Sequence, residues 1–220
     1  MDENISLTLK IIILGASEVG KTSILDRYFK DEFRENRLST IGVDFQTKYF
    51  KFDSKKIKVN YTDTAGQEKF RAISVNYLKA ANGVILVFDI TKEETFEALE
   101  EWLKYLKENN KLELKKILIG NKLDLENQRR IPKDIAQHFC KDHGFNYFEE
   151  TSARTGVNAQ KVFINAAKEL YLTHLEYKDR SSRLGSLEPS SYQKNSNLNN
   201  NVILVEEDDE EKTKKRKRCC

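Results

Sequence analysis

At 220 residues, 33% of them charged, the chain is long enough for one sizeable core and short for two. A net charge of +3, with no basic stripe interleaved with aromatics before residue 175, argues against nucleic acid as a partner. No apolar run nears the roughly 20 residues that cross a bilayer, and MDENISLTLK lacks the zones of a signal peptide, so the expected site of synthesis is the cytosol.

In chain order, strand-like runs at Leu9 to Leu14, Phe45 to Phe52, Ile57 to Tyr61, Val84 to Asp89, Ile117 to Ile119 and Tyr147 to Phe148 alternate with helical patterns. Ile11 to Leu14 and Val84 to Phe88 are apolar throughout, as strands covered on both faces must be. Phe45 to Phe52 alternates instead, Phe45, Thr47 and Tyr49 against Gln46, Lys48 and Lys51, and a short DSKK link follows, which predicts one arm of an antiparallel hairpin at a sheet edge. Phe96, Leu99, Leu103 and Leu106 predict a half-buried helix, with Trp102 and Tyr105 as packing residues flanking its stripe. A shorter helix follows Pro132 and carries Cys140 as a core thiol; the last one carries Val162, Phe163, Ala166, Ala167 and Leu170.

Composition shifts after about Tyr177, which predicts a globular domain over residues 1–177 and a disordered, variable tail over 178–220. An apolar island, Val202 to Val205, interrupts the polar tail and is either a chance cluster or a docking element. Six acidic residues, Glu206 to Glu211, precede a basic cluster, Lys212 to Arg218, and the chain ends in Cys219 and Cys220. With Cys140 the third cysteine, there is neither a disulfide framework nor a metal-ligand spacing.

GASEVGKT, from Gly15 through Ser17, Glu18, Val19 and Gly20 to Thr22, stands between the first strand and a helical segment beginning near Ser23. A glycine turn lets backbone N–H groups close on a phosphate, and the helix N-terminus adds partial positive charge. Lys21 can reach β- and γ-phosphate oxygens, while the Thr22 hydroxyl can ligate a bridging Mg²⁺. Asp63 to Glu68 reads DTAGQE: Asp63 can hold the same ion through water, the Gly66 N–H can sense a γ-phosphate, and Gln67 can orient an attacking water. NKLD, from Asn121 and Lys122 to Asp124, ends a strand where ligands gather in open α/β sheets. The Asp124 carboxylate can accept from N1–H and the exocyclic amine of guanine, a pair of donors that adenine lacks on that edge. TSAR, with Ser152, Ala153 and Arg154, would close over the base. The fold class these predict is α/β: a P-loop NTPase three-layer fold, a six-stranded mostly parallel sheet with one antiparallel edge strand, and helices on both faces.

With these motifs in order, the chain resembles the Ras-like small GTPases over residues 7 to about 175, and within them the Rabs, by TIGVDF at Thr40 to Phe45, KFRAISVNYLK at Lys69 to Lys79 and the terminal CC. The resemblance implies Thr40 as a second hydroxyl ligand of Mg²⁺ and Phe33 as an aromatic packing on the guanine. It implies that Thr40 to Phe45 and Gly66 to Tyr77 lie in or beside two switch loops, with an effector surface of Ile41, Gly42, Val43, Asp44, Phe45, Thr62 and Tyr77. Double geranylgeranylation of Cys219 and Cys220 is implied too, as are an exchange factor, a GTPase-activating protein, effectors, a prenylation escort, a GDP-dissociation inhibitor and a monomeric G domain. The chain departs from the Rab pattern at Ser17 and Glu18 in the phosphate loop. Arg37 stands where many Rabs carry a tyrosine, Thr62 where they usually have a tryptophan, and Lys69 replaces an arginine.

The expected function is a GTP/GDP switch that hydrolyses GTP slowly and recruits effectors in vesicle trafficking. It would act on the cytosolic face of endomembranes or vesicles, with a soluble pool. The alternative is a scaffold that holds GTP with little or no hydrolysis.

Overall fold

The computed structural model describes residues 5–35, 40, 42–52, 54–64, 76–109, 111, 114–184 and 203–205. Strands β1 (Ile5–Leu14), β2 (Val43–Phe52), β3 (Lys55–Thr64), β4 (Gly83–Asp89), β5 (Lys115–Asn121), β6 (Tyr147–Glu150) and β7 (Ile203–Val205) form one sheet in the order β6-β5-β4-β1-β3-β2-β7. Pairings from β6 through β3 are parallel, and β2 is antiparallel to both β3 and β7. All six expected strands are present, each extended by one to four residues at one or both ends, except that β6 grows only forward to Glu150. β7 is added outside β2, so β2 is the second strand from that side.

Helices α1 (Lys21–Lys30), α2 (Glu93–Glu108), α3 (Lys133–Asp142) and α4 (Ala159–Leu184) cover the sheet. β1 shows why the apolar run in its second half is unbroken. Ile11 and Ile13 pack into one core with Leu25 and Tyr28 of α1 and Phe163 and Leu170 of α4, while Ile12 and Leu14 pack into the other with Leu99 and Leu103 of α2 and Ala136 and Cys140 of α3. The first core is rich in aromatics: the Tyr28 ring stacks on Phe163 at 4.6 Å and meets Tyr61 edge-on at 5.9 Å.

Two local expectations change. In α2 the buried stripe is Leu99, Trp102, Leu103 and Leu106, so Trp102 is a core residue and Phe96 lies at its margin. The helix runs with the macrodipole, carrying Glu93 and Glu94 in its first turn and Lys107 in its last. α4 passes the expected boundary at Tyr177 and ends at Leu184. Once a helix is nucleated each further residue costs little, and Glu176, Lys178 and Arg180 are good helix formers whatever their polarity.

β2 turns its core face opposite to its aromatic-looking one. Phe50 and Phe52 are buried, whereas Phe45 is 55% exposed. The hairpin register sets Phe45 directly against Thr62 of β3.

Candidate nucleotide site

β1 lies between β4 and β3, and the chain leaves it toward β2 and β3 before returning to β4, so a crevice opens beyond its carboxyl end. Residues 15–20 fill the mouth of that crevice. Gly15 (φ 145°) and Gly20 (φ 93°) both occupy backbone conformations closed to most side chains. A Cβ at Gly15 would also collide with the Val87 carbonyl oxygen, and one at Gly20 with the Asn121 amide nitrogen. Glu18, at φ 64°, sits in the left-handed region without being glycine, a cost of about 1 kcal/mol. Its exposed carboxylate faces Lys92 at 3.4 Å.

α1 starts at Lys21, and no side chain caps its N-terminus, so the first N–H groups of the helix point toward the loop. The Lys21 ammonium donates to the Gly15 and Ala16 carbonyl oxygens at 2.9 and 2.7 Å, which pins it inside the turn. Burial pulls its pKa down to about 8, opposed by the attraction of the Asp63 carboxylate. A buried amine beside a helix N-terminus is an anion site.

Thr22 Oγ1 and Thr40 Oγ1 approach to 2.7 Å, although 18 residues separate them in the chain. Adjacent octahedral ligands on Mg²⁺, at metal–oxygen distances of 2.0–2.1 Å, stand about 2.9 Å apart. Two hydroxyls at this spacing, with the buried carboxylate of Asp63 (1% exposed) at the end of β3, form a hard oxygen set that fits a small divalent cation.

The other end of the site is organised by β5. Asn121 is 1% exposed; its amide donates to the Val19 carbonyl at 2.8 Å, and its oxygen accepts from Thr151 Oγ1 at 3.2 Å and the Ala153 N–H at 3.3 Å. One side chain thus ties the phosphate loop to the TSAR loop. Lys122 (φ 71°) turns back to pair with the fully buried Asp89 at 2.6 Å. Asp124 accepts from Ser152 Oγ at 2.6 Å through Oδ1. This fixes a carboxylate at the wall of the cavity.

That cavity measures about 470 Å³, within the range of small-molecule sites. Ser17, Glu18, Gly20, Lys21, Thr22, Ser23, Phe33, Thr40, Asn121, Lys122, Asp124, Ala153 and Arg154 line it. Val19 is buried behind the loop, and Ser152 acts through Asp124. Ile41, Gly66 and Gln67 lie outside the described residues, as do Arg37, Lys69, Cys219 and Cys220.

Further residues join the site, Arg27, Glu35 and Arg34 outside any motif and Thr64 within DTAGQE but with no role read for it. Arg27 of α1 donates to the carbonyls of Ala153 and Arg154 at 2.9 and 2.8 Å, clamping the TSAR loop. Arg154 in turn meets Glu35 at 2.7 Å across the cavity mouth. Thr64 lines the cavity and donates to the Ile13 carbonyl at 2.6 Å. Arg34 lines it too, held by Glu32 at 3.0 Å. Away from the cavity, Phe45 and Tyr77 meet edge-on at 5.2 Å, and Thr62, 7% exposed, presents no large side chain beside them.

The model of the Ras family matches residues 10–172. Ras-related protein Rab-13 of Bos taurus is 40% identical over 163 residues, 74% of this chain and 80% of its own length. Ras-related protein YPTC6 of Chlamydomonas reinhardtii is 41% identical over 170 residues, 77% and 78% of the two chains. Ras-related protein Rab-10 of Diplobatis ommata is 38% identical over 164 residues, 74% and 82%. With a glycine-bounded loop, two close hydroxyls and a fixed carboxylate gathered around one cavity, and by these matches, this chain belongs to the Ras family and, within it, to the Rab small GTPases, enzymes that bind GTP or GDP with Mg²⁺ and hydrolyse GTP.

Proposed function

We propose that this protein is a membrane-attached switch in vesicle trafficking, in which GTP orders the segments around Thr40 and Gly66 and slow hydrolysis releases them. The observation that carries the reading is the 2.7 Å approach of the Thr22 and Thr40 hydroxyls. Thr22 belongs to a helix packed on the core, whereas Thr40 precedes β2, so the contact joins two separate segments at one point. Mg²⁺, when bound, supplies charge neutralisation between the β- and γ-phosphates. Thr22 and Thr40 would hold it directly and Asp63 through water. Lys21 and the α1 N-terminus bind the phosphates, Phe33 covers the guanine, Asp124 selects it, and Ser152, Ala153 and Arg154 close behind it.

Hydrolysis is assigned to water oriented by Gln67. The two arginines that line the cavity, Arg34 and Arg154, are each engaged by a glutamate. Turnover without an activating protein should therefore be slow, on the order of 10⁻⁴ per second, the scale of Ras alone. Readout belongs to the surface around Phe45 and Tyr77, from Gly42 to Asp44 with Ile41. Thr62 shapes that surface for partners unlike those of tryptophan-bearing Rabs. An exchange factor, an activating protein, a prenylation escort and a GDP-dissociation inhibitor complete the cycle.

Among the described residues no helix is long and apolar enough to cross a membrane. Attachment is assigned to two geranylgeranyl chains on Cys219 and Cys220, since two lipids hold stably where one binds marginally. The protein would then divide between the cytosolic face of endomembranes and a soluble pool.

Single-turnover phosphate release tests the switch. Gln67→Leu should slow it at least tenfold with GTP affinity unchanged, and Cys219→Ser with Cys220→Ser should leave it unchanged while abolishing membrane fractionation. Equal release by wild type and Gln67→Leu would remove Gln67 from the mechanism, and release by wild type no faster than from free GTP, with or without an activating domain, would leave a scaffold that only holds GTP.

A further inference from the structure

We propose that the tail segment Ile203–Val205 is an intramolecular strand that docks on the outer edge of β2 and thereby shortens the tether between the nucleotide-binding domain and the terminal cysteines. Its pairing is antiparallel and in register, Ile203 with Lys51, Leu204 with Phe50 and Val205 with Tyr49. β2 bonds to β3 along its other side, so without β7 this edge would present unpaired N–H and C=O groups.

Two independent features of the chain fit this occupant. Ile, Leu and Val form the apolar island in an otherwise polar tail, and Ile and Val are strong strand formers. The connection from Leu184 to Ile203 is about 18 residues, and a chain of that length has an r.m.s. reach of about 25 Å and an effective concentration in the millimolar range. Docking in cis is therefore favoured over capture of a strand from a second molecule.

The consequence is a change of reach. From Leu184 to Cys219 the chain has about 35 residues and could extend about 120 Å, whereas from Val205 only about 14 residues remain, or about 50 Å. A docked strand keeps the domain close to whatever holds the cysteines; release lets it range outward. The tether half of this proposal rests on the terminal cysteines being the attachment point proposed above, and the strand half does not.

Both halves are tested on the full-length, unlipidated protein. In hydrogen exchange, Leu204→Pro, which removes a backbone donor and disfavours strand pairing, should raise at least tenfold the exchange of those residue 49–51 amides that face β7, since successive N–H groups of β2 point alternately to β7 and β3. Leu198→Pro, outside the strand, should leave them unchanged. The protein is then coupled through Cys219 and Cys220 to maleimide-lipid vesicles, Cys140 being buried. Energy transfer from a fluorophore on the domain to acceptors in the bilayer should fall in Leu204→Pro and not in Leu198→Pro. Identical exchange at 49–51 in wild type and Leu204→Pro would overturn the docked strand. Protection that rises with protein concentration would overturn docking in cis. Unchanged energy transfer despite lost protection would overturn the tether.

Discussion

At the scale of single residues, Lys21 is the proposed link between the fold and its ligand. Its ammonium is buried in a turn of carbonyl oxygens, and desolvation brings its pKa to about 8 where phosphate is absent. A bound phosphate favours the charged form, so the nucleotide complex should hold the proton well above that value. Between about pH 8 and the ordinary lysine value of about 10.4, binding must then take up a proton, and affinity must fall as pH rises, by up to tenfold per unit. Calorimetry of GDP binding at pH 9 in two buffers of different ionisation enthalpy should show this uptake, with much less at pH 7. Equal heats in both buffers at pH 9 would mean that free Lys21 already carries its proton there, against the depression that burial imposes.

Residues differ sharply in how far sequence reveals them. Gly15, Gly20, Lys21 and Thr22 are legible because each meets a constraint within eight consecutive residues: a positive φ, a close approach, a charge, a hydroxyl. Arg27 is not, because its partners Ala153 and Arg154 lie more than 120 positions away and are backbone carbonyls, which any residue supplies. Glu35 escapes for a similar reason, since an exposed glutamate acquires meaning only when the fold brings Arg154 to 2.7 Å. Glu18 shows the reverse case: the chain departs from the glycine or small residue common in this loop, and the structure shows the φ of 64° that makes the departure costly.

At the scale of elements, the segment that carries Asp124 is backed by a partly buried ion pair. Arg129, just past the 3₁₀ turn Leu123–Gln128, contacts Glu150 at the end of β6 at 2.7 and 3.1 Å, and Glu126 within the turn at 2.8 and 2.6 Å. It also donates to the Ile131 carbonyl at 2.9 Å. These carboxylates hold the guanidinium pKa well above its ordinary range. Glu150 is nearly closed to solvent, so Arg129→Ala would leave a buried carboxylate without its cation and should cost about 3 kcal/mol. A urea melt of the GDP-bound protein measures it; a loss under 1 kcal/mol would mean that the pair does not brace the segment. Strands and helices of the domain were legible as elements because their periods of 2 and 3.6 are local. β7 was legible only as an apolar island, because an edge strand is defined by its partner and nothing within three residues specifies β2.

At the scale of the whole molecule, the sheet order puts residues 15–20 after β1, Asp63 and Thr64 at the end of β3 and Asp124 after β5, so three chain-distant ends converge around one cavity. Guanine selection and triphosphate binding are therefore separable by mutation although they share a ligand. In the proposed site selection falls to Asp124, held by Ser152, because a site built on paired donors and acceptors leaves buried groups unsatisfied with the wrong base. Equilibrium binding of fluorescent GDP in the presence of Mg²⁺, with GTP and ATP as competitors, tests this account most directly. GDP and GTP should compete at least a thousandfold better than ATP, and Asp124→Ala should weaken GDP at least a hundredfold, about 2.7 kcal/mol. ATP competing as well as GTP, or Asp124→Ala binding GDP as wild type does, would contradict it.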